Sequence, residues 1–544
     1  MATLILMTSF LSVFGQKTKK GDKLMLADLQ TDIRYLSDDK LEGRRTGTPG
    51  EKLASDYISI GFVNSGLQPK GDRNGWLQAF SIDEGKQINQ ASYFSINDQK
   101  LLITKEYFPL AFSTGGTVSG TPAIALEEAG VPWFLDLKEL LESGRDNPHF
   151  DLEEAIHAKI KDCVKKGATA IILYNSSKMA DNLVFDPKDR SEPASIPVVY
   201  ITKEAKKKYL KDESASVEIK IDVEMTEKTR TGHNVVGYLD NGAATTVIIG
   251  AHYDHLGYGE DGNTHYHGPE RVVYHGADDN ASGVAGAIEL AKLLRQSGLK
   301  NNNYLFIAFS GEELGLYGSK YFVEHSPIDM KNVNYMINLD MVGRLNDSSH
   351  TLNIGGYGTS PAWGEICNSI SDKKYFDLHF DSSGTGPSDH TSFYLKNIPV
   401  LFFFTGWHSD YHKPTDVYDK INYNGEIQVL KYVYGVIERV DKRGRIAFSK
   451  TREMQMGAAQ FTVTLGIMPD YTFSGSGVRA DAVSDGRPAQ KAGIKAGDVI
   501  VQLGDYPVSS LEKYMDALSK FKKGDITTVK YRHGADLLEA QVHF

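Results

Sequence analysis

A chain of 544 residues is too long for one ordinary core, and at about 100 to 200 residues per domain it implies roughly three or four units. Hydrophobic residues make up 41% and charged residues 24%, a balance that excludes extensive disorder. The formal net charge of -10 excludes the basic surplus that neutralises phosphates, so no nucleic acid partner is expected.

In chain order, the first element is a short apolar run over residues 4–14, followed by Lys17, Lys19 and Lys20. A membrane span needs about 20 apolar residues, and no later segment supplies them, so no membrane span is expected. Residues 1–16 read as a secretory signal and the protein as exported, periplasmic or extracellular. The run lacks a basic start, which leaves a truncated leader or a merely apolar terminus open.

Residues 113–227 contain a predicted helix over 152–166 and predicted strands over 170–174 and 196–201, with no cluster of chemistry-bearing side chains. Cys163 falls here and Cys367 far downstream. A bridge requires Cα atoms within about 7 Å, so both are expected to be buried free thiols.

From residue 234 to 442 short apolar strands alternate with amphipathic helices, the pattern of an α/β sheet. The predicted strand over 245–251 runs directly into His252-Tyr253-Asp254. A helix over 282–295 places Val284, Ala287, Ile288, Ala291 and Leu294 on one face, with Gly298 as its stop. Strands over 304–309 and 333–339 end at Ser310-Gly311-Glu312-Glu313 and at Asp340, and a strand over 399–404 precedes His408 and His412. Polar residues thus gather where strands finish, the side of an open α/β sheet on which ligands bind.

Three blocks carry the chemistry: His252-Tyr253-Asp254, the run from Gly276 through Asp278 and Asp279 to Gly283, and Ser310-Gly311-Glu312-Glu313. With Asp340 and His412 they supply the nitrogen and oxygen donors that zinc accepts at about 2.0 to 2.2 Å. A lone histidine is usually structural, and His265, His267 and His275 are expected to be merely exposed. What distinguishes His252 and His412 is the company of carboxylates.

These blocks resemble those of the secreted bacterial zinc aminopeptidases, the metallopeptidase family that also includes glutamate carboxypeptidases and glutaminyl cyclases. The likeness extends upstream to Leu36-Ser37-Asp38-Asp39-Lys40-Leu41-Glu42-Gly43-Arg44-Arg45-Thr46-Gly47-Thr48-Pro49-Gly50. It implies an α/β mixed-sheet zinc exopeptidase domain with helices on both faces, made discontinuously from residues 17–112 and 228–448. The resemblance further implies two zinc ions bridged by Asp279, one completed by His252 and Asp340 and the other by Glu313 and His412. Glu312 would be the general base, and Asp254 would receive the other imidazole proton of His252. Two metals about 3.5 to 4 Å apart can activate a shared water and polarise a carbonyl, which leaves Glu312 to carry the proton. Tyr411 is either an oxyanion donor or a packing residue.

Lys165-Lys166-Gly167-Ala168-Thr169-Ala170-Ile171-Ile172 and Ile196-Pro197-Val198-Val199-Tyr200-Ile201 resemble a protease-associated domain, inserted over 113–227; a generic β-rich insert is the alternative. Residues 456–544 resemble a bacterial-type PDZ domain, through Thr464-Leu465-Gly466-Ile467-Met468, Gly486-Arg487-Pro488-Ala489 and Ala492-Gly493-Ile494-Lys495-Ala496-Gly497-Asp498. That likeness implies a loop able to capture a peptide or protein C-terminus beside a helix over 511–521; a filled groove that only packs is the alternative.

The leading expectation is an aminopeptidase acting on peptide substrates. A carboxypeptidase or dipeptidase would need basic residues aimed at a substrate carboxylate, and only Arg344 stands close to a ligand motif. A glutaminyl-cyclase-like enzyme, or a binding protein using its accessory domains, also fits the scaffold. The aromatic run Phe402-Phe403-Phe404 and Trp407 could wall a side-chain pocket or simply fill the core.

Overall fold

The computed structural model describes residues 20–145, 150, 152–189, 191–212, 214–266, 268–451, 463–470, 473, 475–483 and 486–544. The expected leader over 1–16 and His267 lie outside the described residues. By its internal contacts the chain forms two units, one of residues 1–80 with 232–454 and one of residues 81–231 with 455–544.

The first unit is built on a mixed sheet. Its elements include α1 (Lys20–Leu36), α2 (Pro49–Asn64), β1 (Thr246–His252), α3 (Gly283–Gln296), β2 (Asn303–Phe309), α4 (Tyr317–Glu324), β3 (Val333–Leu339), α5 (His390–Tyr394), β4 (Val400–Phe404) and α6 (Tyr423–Arg443). The central strands run parallel in the order β2-β1-β3-β4. Antiparallel strands flank them, Met225–Leu239 against β2 and Thr351–Gly355 against β4. This is the mixed α/β sheet the sequence leads one to expect.

Every residue of β1, β2 and β3 is buried, because helices cover both faces. Alternate residues divide between two cores. Val247, Ile249, Phe306, Ala308, Ile337 and Leu339 join Leu29 and Ile33 of α1, Phe62 of α2, Val284 of α3 and Val433 of α6. Ile248, Leu305, Ile307 and Met336 join Phe322 of α4 and Phe393 of α5 on the opposite face. α1 reaches its core through one stripe, Met25, Leu29, Ile33 and Leu36.

In the second unit, one antiparallel sheet runs in the order Gln99–Lys100, Tyr93–Ile96, Ile219–Val223, Gly116–Gly120. Another orders Tyr107–Pro109, Val198–Ile201, Ile171–Tyr174 and Trp133–Asp136, the last three parallel. Strands before residue 113 share these sheets with strands after it: Tyr93–Ile96 pairs with Ile219–Val223 and Tyr107–Pro109 with Val198–Ile201, and burial demands such pairing. The C-terminal residues form a sheet of Ile467–Pro469, Val478–Val483, Val499–Leu503, Ile526–His533 and Asp536–His543, with the helix Leu511–Ser519. Cys163 and Cys367 are buried free thiols, as expected. Among the described residues no helix is long and apolar enough to cross a membrane.

Candidate metal centre

The parallel strands deliver polar residues to one edge. β1 ends on His252, β2 runs into Glu312 and Glu313, and β3 runs into Asp340. Because β1 lies between β2 and β3, the connections from these strands diverge to either side of it, and the carboxyl ends at such a point are where open α/β sheets bind ligands. Asp279 comes from the kinked turn Ala277–Ser282 that leads into α3, where Asp279 and Asn280 leave helical φ/ψ. His412 comes from the loop after β4, with φ of 52°.

Two donor groups form, His252 with Asp279 and Asp340 and His255 with Asp279 and Glu313, so Asp279 belongs to both. His252 Nε2 lies 3.3 Å from Asp279 Oδ1 and 3.4 Å from Asp340 Oδ1. On the other side His412 Nε2 lies 3.3 Å from Asp279 Oδ2 and 3.1 Å from Glu313 Oε2. Donors around a tetrahedral metal with bonds of about 2.0 to 2.1 Å stand about 3.3 Å apart, so these separations match the edges of a coordination shell. The donor set therefore fits a metal on each side of Asp279. His255 was not foreseen: its Nδ1 lies 2.7 Å from Glu313 Oε1 and 3.9 Å from Asp279 Oδ2.

Hydrogen bonds fix which imidazole nitrogen faces inward. His252 Nδ1 is 3.2 Å from the carbonyl oxygen of Asp254, and His412 Nδ1 is 2.7 Å from that of Asn263. A carbonyl only accepts, so each Nδ1 donates and each Nε2 is left for a metal. The Asp254 carboxylate, whose Oδ1 lies 3.7 Å from His252 Nδ1, also accepts from the Thr46 hydroxyl at 2.9 Å and the Glu312 amide at 3.1 Å. The hydroxyl of Ser388 donates to Asp340 Oδ2 at 2.7 Å. Asp416 accepts from the amides of Asp278 and Asp279 at 3.0 Å.

The upstream motif is tied in by Arg44, a buried guanidinium that donates to the carbonyls of Leu36, Tyr253, His275 and Gly276. Burial lowers it to about 10 against the pull of Asp279 and Asp254. Burial would also raise Asp279, but bonds from His252 and His412 hold it well below the usual carboxylate range. Glu313 behaves alike: burial and Asp279 raise it, while His412 and His255 bring it down to about 2. Glu312 goes the other way, pushed well up by burial and by Asp340, Glu313 and Asp389 around it. Among the described residues Glu312 belongs to neither donor group, which leaves its carboxylate able to hold and release a proton.

His252, Asp279, Glu313, Asp340 and His412 thus stand together, with Glu312 and Asp254 beside them. The Tyr411 ring stacks on His412, with centroids 3.9 Å apart. His265 is exposed but not merely so, since its ring centroid lies 5.5 Å from those of Tyr411 and His412 and its amide donates to the His412 carbonyl at 3.0 Å. His275 is not merely exposed, since its ring nitrogens meet Asp39 and the carbonyl of Pro414, each at 2.8 Å. Phe403 enters the core, whereas Trp407 is 63% exposed and joins a row from Phe404 through Tyr411 to His412. Arg344 is paired with Asp410 at 3.3 Å. The sequence reading missed His255, Asn263, Ser388 and Asp416; for His255 the signal was present, three residues after His252 in the same block.

Residues 234–437 match the model of Peptidase family M28, and residues 450–544 match that of the PDZ domain. The resemblance read from the sequence is borne out over these segments. Aminopeptidase YwaD of Bacillus subtilis is 29% identical over 278 residues, which cover 49% of this chain and 56% of that protein. The probable leucine aminopeptidase 2 of Aspergillus oryzae is 29% identical over 256 residues, 44% of this chain and 47% of that protein. The chain spans about half the length of these curated relatives. Among solved structures, an aminopeptidase from Aneurinibacillus sp. strain AM-1 is 23% identical, with a TM-score of 0.41, over 78% of this chain and 95% of that one.

Proposed function

We propose that this protein is a two-zinc aminopeptidase that hydrolyses N-terminal residues from peptides. The observation that carries the reading is Asp279, whose two oxygens each stand at coordination-edge distance from a different histidine. Zinc ions bound there would supply a water of lowered pKa and a polarised carbonyl. Glu312, which stands beside the donor groups without belonging to either, takes the proton from the attacking water and passes it to the leaving amine. The names of the relatives, aminopeptidases and leucine aminopeptidases, support cleavage from the N-terminus. So does Arg344, which is neutralised by Asp410 and is a poor clamp for a substrate carboxylate.

The accessory segments are read as a protease-associated insert and a PDZ domain that takes peptide or protein C-termini. The apolar run over residues 4–14 supports an exported, periplasmic or extracellular protein, which cell fractionation tests. For the activity, the purified protein is offered aminoacyl and N-blocked peptides with and without a chelator. Chelator-sensitive release from free N-termini is expected. Cleavage of blocked peptides alone would sink the aminopeptidase, and turnover indifferent to the chelator would sink the metal.

A further inference from the structure

We infer that His255 is the positioning residue that orients Glu313 toward the second metal, as a hydrogen-bonding clamp and not as a ligand. The inference rests on the two-metal reading and extends it. On the first side, Asp340 turns Oδ1 toward His252 while its other oxygen, Oδ2, accepts from Ser388 at 2.7 Å. Glu313 repeats that arrangement, with Oε2 toward His412 and Oε1 accepting from His255 Nδ1 at 2.7 Å. Each terminal carboxylate thus offers one oxygen to a metal and has the other held by a donor.

The distances separate a clamp from a ligand. A contact of 2.7 Å is a charge-assisted hydrogen bond, shorter than the edge of about 3.3 Å between donors on one zinc. The 3.9 Å to Asp279 Oδ2 is longer than that edge, whereas His412 meets both carboxylates at 3.1 and 3.3 Å. The His255 ring is also tightly confined. Its side chain is 0% exposed, and its Cδ2 would lie 2.6 Å from a Cβ placed on Gly276, which sits at φ +57°. Only glycine leaves room for the ring there. The His255 amide is bound to the carbonyl of Arg44, so the upstream motif fixes the backbone as well. Donors to ligating carboxylates commonly set metal affinity by about 10 to 100-fold.

The test measures zinc retained by the full chain against graded chelator, by metal analysis, in wild type, His255→Ala, His255→Asn and His255→Asp. The Asn amide can place a donor where Nδ1 stands; the Asp carboxylate of the same shape repels Glu313. One zinc should bind as in wild type in all four proteins. The other should be weakened about 10 to 100-fold in the Ala and Asp variants and restored in Asn. Cobalt-loaded wild type and His255→Asn should share one visible absorption spectrum, because the ligands are the same. If Ala and Asp hold both zinc ions as tightly as wild type, there is no clamp. If Asn is as weak as Ala and its cobalt spectrum loses a nitrogen ligand, His255 is a ligand and the inference falls. Should Ala misfold by circular dichroism, the Asn and Asp pair decides alone. A wild-type protein that holds one zinc overturns the parent reading, and does so before any variant is made.

Discussion

His252 and Asp340 reach Asp279 from the ends of neighbouring parallel strands, whereas Glu313 and His412 reach it from a bend after β2 and from the loop beyond β4. The strand-borne side inherits its geometry from a sheet buried on both faces. The loop-borne side has no such frame, and its position is held by hydrogen bonds from elsewhere: the carbonyl of Asn263 on His412 and the imidazole of His255 on Glu313. A site can therefore be half determined by topology and half by clamps, and the two halves should fail differently.

The largest expected effect tests whether Glu312 stands apart from both sides. Glu312→Gln should lower kcat by about 10² to 10⁴-fold on an aminoacyl p-nitroanilide, with metal content unchanged. If the variant also loses metal, Glu312 belongs to the donor set and the division is wrong. Next, His252→Ala and His412→Ala should each lose one metal and keep the other, by metal analysis after gel filtration. Loss of both from either variant would show that the sides are not independent. A smaller effect sharpens the strand side: Ser388→Ala should weaken one metal about 10-fold by freeing Asp340 Oδ2. Chelator titration reads this, and unchanged affinity would mean that the strand alone positions Asp340.

The smallest expected effect concerns the helical layer behind the strands. Glu289 of α3, 4% exposed, is raised from 4.5 to about 7 by burial, against the pull of Lys292. Its folded form holds a proton more tightly than its unfolded form. The associated stability is therefore complete below pH 4.5 and lost as pH rises through about 7, up to about 3 kcal/mol. Glu289→Gln should flatten Tm against pH across that window. A profile parallel to wild type would place the pH dependence elsewhere.

Legibility in the sequence follows the same division. β1 and β3, covered on both faces, read as largely apolar runs, the first ending on His252 and the second running directly into Asp340. His252 and Asp340 stand out on that ground, and Glu313 through the acidic pair that follows β2. His412 lies in a loop without periodicity and was reached through the order of the motif blocks. The clamps were invisible for a physical reason. Ser388, His255 and Asn263 act on residues 48, 58 and 149 positions away, and Asn263 acts through its backbone, which every residue type carries. Strands upstream of residue 113 likewise look independent in the sequence until Ile219–Val223 and Val198–Ile201 pair with them.

The amide of Asp279 rests on the carboxylate of Asp416, 137 residues later in the chain. In translation order the residue common to both donor groups therefore gains this amide partner only after position 416 has been made, so the centre closes late in the synthesis of the chain.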